Sequence, residues 1–160
     1  MGISCHVNEI DFDKTKEQTE AAYKKIGSIF CPFFNQHISF NAKGLRHLKF
    51  KSDQQARSRS DQFVRLRLLY LAPEVLRKSR TLQGIWETRK FEEQKTNSRW
   101  KSVMRDIIFY EFVAVLDDFR VKVIVKEVRG SEKYFWSIIP YWKAGNGNGR
   151  RILYSGNPDE

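Results

Sequence analysis

The sequence predicts an α+β fold: N-terminal helices packed on one face of a twisted antiparallel sheet that ends in a C-terminal three-stranded meander. Two observations carry the assignment. Between residues 53 and 79 apolar side chains recur at helical spacing, with Phe63, Leu66, Leu69 and Tyr70 on one stripe. Between residues 107 and 140 three runs rich in β-branched and aromatic residues follow one another with connectors of hairpin length. A chain of 160 residues, 41% apolar, is long enough to bury one sizeable core.

Each element has its own reason. Residues 11–25, DFDKTKEQTEAAYKK, read as a helix: Asp11 or Asp13 can cap it, and Lys24 and Lys25 suit its C-terminal dipole. Gly27 and Pro32 break the pattern in GSIFCPFFNQ, and HISF at 37–40 is a short strand. NAKGLRHLKFK is a short helix with Asn41 as its cap and Leu45 and Leu48 on one face. Within 53–79, Pro73 is tolerated only in a first turn, so two helices meet near Ala72. TLQGIWETRKF is a strand or an extended arm, on the strength of Ile85 and Trp86. The polar stretch EEQKTNSRWKSVMRD reads as a loop or a short helix.

IIFYEFVAVL (107–116), RVKVIVKEV (120–128) and KYFWSIIP (133–140) make the meander. Alternation in the last run puts Phe135, Ser137 and Ile139 on one face and Tyr134, Trp136 and Ile138 on the other. Residues 1–143 thus form a single α+β domain, with 1–30 a helical extension and 144–160 a flexible Gly/Asn-rich tail.

Charge supplies the first functional reading. The net charge is +10, and residues 37–105 alone carry seventeen Lys/Arg against six Asp/Glu. Such a field attracts polyanions. No run approaches the roughly 18 apolar residues of a membrane-spanning helix, and MGISCHVNEIDFDK lacks a basic leader and an apolar core segment. The expectation is a cytoplasmic protein without membrane association, with Cys5 and Cys31 as reduced thiols. Cys5, His6, Cys31 and His37 are zinc-binding residue types without zinc spacing, so neither metal nor cofactor is expected. A P-loop, a dinucleotide fingerprint and a nucleophile elbow are all absent from the sequence.

Several side chains suit phosphate chemistry. His47 stands among Arg46, Lys49 and Lys51, a cationic setting that favours a neutral imidazole and fits a general base. Arg57, Arg59, Arg65 and Arg67 crowd one helical region, and guanidinium groups hold phosphate bidentately. Arg65 and Arg67 point about 200° apart on a helix, so one is enclosed and needs an anion or a carboxylate such as Asp61. Lys122, Ile124 and Lys126 alternate against Val121, Val123 and Val125, which gives one sheet face to the helices. The other face is left as an aromatic, basic surface of the kind that stacks single-stranded nucleic acid.

The segments CPFFNQHISFNAKGLRHLKFK and VKVIVKEVRGSEKYFWSIIPYWK, with the arginine-rich helices between them, resemble small bacterial and phage proteins of the barnase–EndoU–colicin–RelE-like fold, particularly the phage-associated branch. The resemblance covers about residues 31–143. It implies a metal-independent endoribonuclease of the toxin or conflict-effector type, which activates the RNA's own 2′-OH and leaves a cyclic phosphate. It points to His47 on the helical side, Arg89 near the sheet edge, Ser137 in the last strand and Lys126 in the strand before it. Arg46, Lys49, Lys51, Arg57, Arg59, Arg65 and Arg67 would hold the RNA, and an acidic inhibitor protein is an expected second partner. The alternatives are a non-catalytic RNA- or ribosome-binding module on the same fold, and a protein-interaction module with an acidic partner.

Overall fold

The computed structural model describes residues 9–52, 54–116 and 119–140. The expected flexible tail, residues 144–160, lies outside them, as do Cys5 and His6.

Good helix formers open the chain as α1 (Glu9–Ile26), which ends at Gly27 with φ 66°, a left-handed conformation that glycine adopts without strain. β1 (Ser28–Cys31) and β2 (Gln36–Ser39) pair as an antiparallel hairpin. Asn41 then caps α2 (Ala42–Lys49), its side chain accepting from the Gly44 amide at 3.2 Å. β3 (Phe50–Ser52) and β4 (Gln55–Ala56) form a small separate ribbon. Ser58 caps α3 (Arg59–Leu68), which passes through one 3-10 turn into α4 (Ala72–Lys78). Pro73 sits in the first turn of α4, where its missing N–H costs nothing. Four strands complete the described residues: β5 (Gly84–Thr96), β6 (Arg99–Leu116), β7 (Phe119–Val128) and β8 (Tyr134–Pro140).

The fold is α+β, with a six-stranded sheet in the order β1-β2-β8-β7-β6-β5 and a C-terminal antiparallel meander. The sheet is not wholly antiparallel. β2 runs parallel to β8 and pairs with it at Ser39–Tyr134. The N-terminal hairpin thereby extends the sheet beside the last strand.

Two further expectations are corrected. The polar stretch EEQKTNSRWKSVMRD is neither loop nor helix. β5 and β6 run through it as a two-stranded ribbon to Asn97 and Ser98, whose φ angles of 49° and 64° suit a tight hairpin turn. Its polarity misleads because the distal ribbon is largely solvated, so no apolar alternation marks it. The strict alternation expected in β8 is also broken. Ile124 pairs with Ser137 but Val125 pairs with Phe135, so Trp136 is the extra residue of a β-bulge. Phe135 and Ile138 consequently share the helix-side core, whereas Trp136 and Ile139 join the cluster on the opposite face.

The main core lies between the helices and one sheet face, where Leu48, Leu66, Leu76, Val123, Phe135 and Ile138 pack together. α2 approaches β8 so closely that a methyl group on Gly44 would collide with the Phe135 carbonyl oxygen. The second face carries Ile107, Phe109, Ile124 and Ile139, with Trp86 and Trp136 against them.

Candidate functional site

Because the β2–β8 pairing is confined to Ser39–Tyr134, the outer edge of β8 beyond it meets α2 and α3. The bulge directs Trp136 to this junction. His47, on α2, stacks on the Trp136 indole with ring centroids 4.0 Å apart and planes at 18°. The Lys126 ammonium lies 4.0 Å from the centre of the same indole.

A continuous polar chain runs behind this stack. Arg57 donates from Nε to the His47 carbonyl at 2.9 Å and from Nη2 to His47 Nε2 at 3.0 Å. A guanidinium has no acceptor, so Nε2 is unprotonated and the imidazole proton sits on Nδ1. Arg57 and Arg65 both hold Asp61, at 3.3 and 2.8 Å. Arg65 Nη1 then donates to Ser137 Oγ at 2.7 Å. His47, Arg57, Arg65 and Ser137 are all buried. The enclosed arginine is thus Arg65, with Asp61 as its carboxylate, while Arg67 is exposed over the Phe63 ring.

In front of the stack opens a cleft of about 550 Å³ between α2, β3, β8 and the distal β5–β6 ribbon. The ribbon folds back far enough for Glu92 to accept from Lys126 Nζ at 2.8 Å. Burial pulls the Lys126 ammonium below the ordinary lysine range; Glu92 opposes that shift, and the charges of Lys43 and Lys90 add to it. Five cations border the cleft, Lys43, Arg46, Lys51, Lys90 and Lys126, against the carboxylates Glu92 and Glu93. Trp100 and Phe91 contribute exposed aromatic surface, each about two-thirds accessible. Two polar atoms of the lining, Tyr134 Oη and Trp136 Nε1, are buried without a hydrogen-bond partner among the described residues. Burial, aided by the Glu92 charge, raises the Tyr134 phenol well above its ordinary range.

The sequence-derived candidates divide accordingly. His47 and Lys126 line the cleft, and Ser137 is joined to His47 through Arg65, Asp61 and Arg57. Arg89 is elsewhere: it is exposed on β5 and donates to its cross-strand neighbour Asp106 at 2.9 Å. That bond holds the Asp106 carboxyl below its usual value. Of the basic set, Arg46 and Lys51 border the cleft. Lys49 pairs with Glu20 of α1 at 2.7 Å, and Arg59 lies over the Phe12 ring. Arg57 and Arg65 are internal ties, because each residue is 3% accessible and its guanidinium is already engaged. Lys43, Lys90, Glu92, Trp100 and Tyr134 are cleft residues that the sequence reading passed over. Three of these five, Lys90, Glu92 and Trp100, stand in the ribbon, and reading residues 92–106 as loop or helix concealed where the ribbon folds back.

Among the described residues no three His, Cys, Asp or Glu side chains converge as metal ligands, and no helix is long and apolar enough to cross a membrane. No protein-family model matches the chain, and no curated protein or solved structure matches it either.

Proposed function

We propose that this protein binds single-stranded RNA in the cleft between α2, β8 and the β5–β6 ribbon. One observation carries the reading: aromatic surfaces and ammonium groups alternate in one groove, with Lys126 over Trp136 and Lys51 and Lys90 bordering the same space as Trp100. Cations track a phosphate backbone while bases stack on aromatic faces. The excess charge of residues 37–105 adds long-range attraction. RNA is named ahead of DNA on the sequence resemblance described above.

The test is binding of a short labelled homopolymer RNA, and of the same DNA sequence, across about 50–200 mM salt. The logarithm of the affinity falls linearly with the logarithm of salt. Lys51→Gln lowers that slope by about one. Trp100→Ala weakens binding about tenfold, the order expected for one lost base stack. Absence of binding at low salt, or full affinity in the Lys51→Gln/Trp100→Ala double variant, overturns the proposal.

A second reading, metal-independent cleavage through the ribose 2′-OH, is favoured by Lys126. A desolvated ammonium in a cleft is a competent proton-transfer group. His47 is a weaker base here, because its accepting nitrogen already receives Arg57. RNA incubated with the protein and a chelator would acquire 2′,3′-cyclic phosphate ends, and Lys126→Met would abolish them. RNA that stays intact leaves the binding reading alone. An acidic inhibitor protein would occupy the same basic cleft and compete with RNA for it.

A further inference from the structure

The six-stranded sheet ends in two unlike edges. β1, on one side, is four residues long, whereas β5, on the other, runs for 13 residues and pairs only with β6 among the described residues. A long edge strand presents a row of backbone N–H and C=O groups to a further strand. Nothing in β5 blunts that edge: it has no proline, and its register with β6 is unbroken from Gly84 to Thr96, so no bulge turns it aside. Alternation puts Ile85, Glu87, Arg89, Phe91, Glu93 and Lys95 on one face of the strand, all exposed. Phe91 is 67% accessible, and its cross-strand neighbour Met104 is 46% accessible.

The order of charges along this edge is self-complementary. In 87-ETRKFEEQK-95 the signs reverse about Phe91: Lys90 mirrors Glu92, Arg89 mirrors Glu93, and Glu87 mirrors Lys95, while neutral Thr88 mirrors Gln94. When two identical strands pair antiparallel about a two-fold axis through one residue, residues equally far before and after it stand opposite each other. With the axis at Phe91 all three charged pairs have opposite signs. Moving the axis to Lys90 sets Glu87 against Glu93, and moving it to Glu92 sets Arg89 against Lys95, like charges in both cases. The β5–β6 ribbon itself makes little use of the pattern. Glu87 stands opposite Ile108, Glu93 opposite Ser102 and Lys95 opposite Trp100, and of the outer-face charges only Arg89 stands opposite a carboxylate, Asp106. A guanidinium has five N–H donors, so Arg89 can keep its Nε bond to Asp106 and hold a second carboxylate as well. On the inner face Glu92 already accepts from Lys126, so the outer pairs Glu87–Lys95 and Arg89–Glu93 carry the argument.

We infer that two copies of this chain associate through β5, antiparallel about Phe91, so that their six-stranded sheets join into one. The inference goes beyond RNA binding and does not rest on it. Main-chain hydrogen bonds supply the attachment, and the outer-face charge pairs fix its register. At the axis Phe91 and Met104 of both copies form an apolar cluster that covers side chains exposed in the single chain. A two-fold contact of this kind uses the same patch on both copies, so association closes at the dimer. Phe91 and Glu93 also border the cleft, so the two clefts stand on either side of the axis, one in each copy.

The test is the molar mass of the purified protein in solution, followed against concentration by analytical ultracentrifugation. The native chain, 19.0 kDa, sediments as a dimer. Glu87→Lys and Lys95→Glu each set like charges opposite at two symmetry-related places, and each weakens the dimer about tenfold. An equimolar mixture of the two variants restores the native affinity, because the exchanged charges are again opposite in sign across the axis. Recovery on mixing also shows that both variants are folded. A native protein that stays monomeric up to about 1 mM overturns the inference and leaves the β5 edge to a strand of another protein. A dimer that both single variants leave unchanged, or that mixing does not restore, uses another face and equally overturns it. So does growth into species larger than the dimer, since a two-fold contact cannot propagate.

Discussion

The His47 imidazole lies flat on the Trp136 indole, 4.0 Å away, while its Nε2 accepts from Arg57. The histidine therefore has a structural load on its face and on its edge. An exposed general base would have neither. His47→Ala removes a stack worth about 0.5–1.5 kcal/mol and deprives a buried guanidinium of an acceptor, about 1–3 kcal/mol. The expected loss is about 3 kcal/mol in urea unfolding. His47→Phe restores the stack but not the acceptor, and recovers part of that loss.

Ser137 is the far end of the same polar chain. Its hydroxyl is fully buried and accepts from Arg65 Nη1 at 2.7 Å. Ser137→Ala leaves a buried N–H without that acceptor and costs about 2 kcal/mol. Combining it with Arg65→Met yields a coupling of about 1–2 kcal/mol in a double-mutant cycle, since each change removes the same bond. The salt slope of RNA binding stays at the native value in Ser137→Ala. A drop of about one unit would instead make the serine part of the phosphate-contacting surface.

The layout of helices and meander was legible because burial imposes periodicity. Leu66 and Leu69 keep helical spacing, and Val121, Val123 and Val125 keep strand spacing, since each set faces the same core. That one of Arg65 and Arg67 is enclosed was also legible, because arginines two apart on a helix cannot share one solvent face, but which of them it is required the tertiary packing. The bulge at Trp136 was not, for a single extra residue leaves no mark in an alternating pattern. Neither was the ribbon from Phe91 to Met104, where solvent on both sides removes the pattern altogether. The cleft depends on these two features. Trp136 and Glu92 meet Lys126 only after a bulge and a fold-back that no local rule encodes.

Gly44 tests how tightly the cleft wall is set. A Cβ there would meet the Phe135 carbonyl oxygen, and would lie 2.8 Å from Tyr23 Oη. Tyr23 itself donates to the Asn41 carbonyl at 2.6 Å, so it is not free to move aside. Gly44→Ala gains about 1 kcal/mol of helix propensity and loses more through overpacking, typically about 1–3 kcal/mol. The net result is a destabilised protein in thermal unfolding, with α2 displaced from β8. The Trp136 indole then loses its fixed contact with His47, which near-UV circular dichroism reads as a loss of aromatic signal.

Tyr134 separates function from stability. Its hydroxyl is buried without a partner among the described residues, and an unsatisfied buried group costs about 1–3 kcal/mol. Tyr134→Phe removes that cost, so the variant is more stable than the native protein by about 1 kcal/mol at neutral pH. The pH dependence carries the same signature. Burial raises the folded-state phenol above the ordinary value of 10.0. Above pH 10 the unfolded chain releases this proton while the folded chain retains it, so the native state binds more protons and stability falls as pH rises. Stability from this group is complete below pH 10 and declines progressively above it. Tyr134→Phe lacks the titration and loses less stability over that range, although Tyr23, raised by its own burial, still contributes to the decline. Urea midpoints of both proteins at pH 7 and above pH 10 measure the effect. A variant less stable than the native protein at pH 7, or one with the same alkaline decline, would show that the Tyr134 hydroxyl already has a partner within the fold.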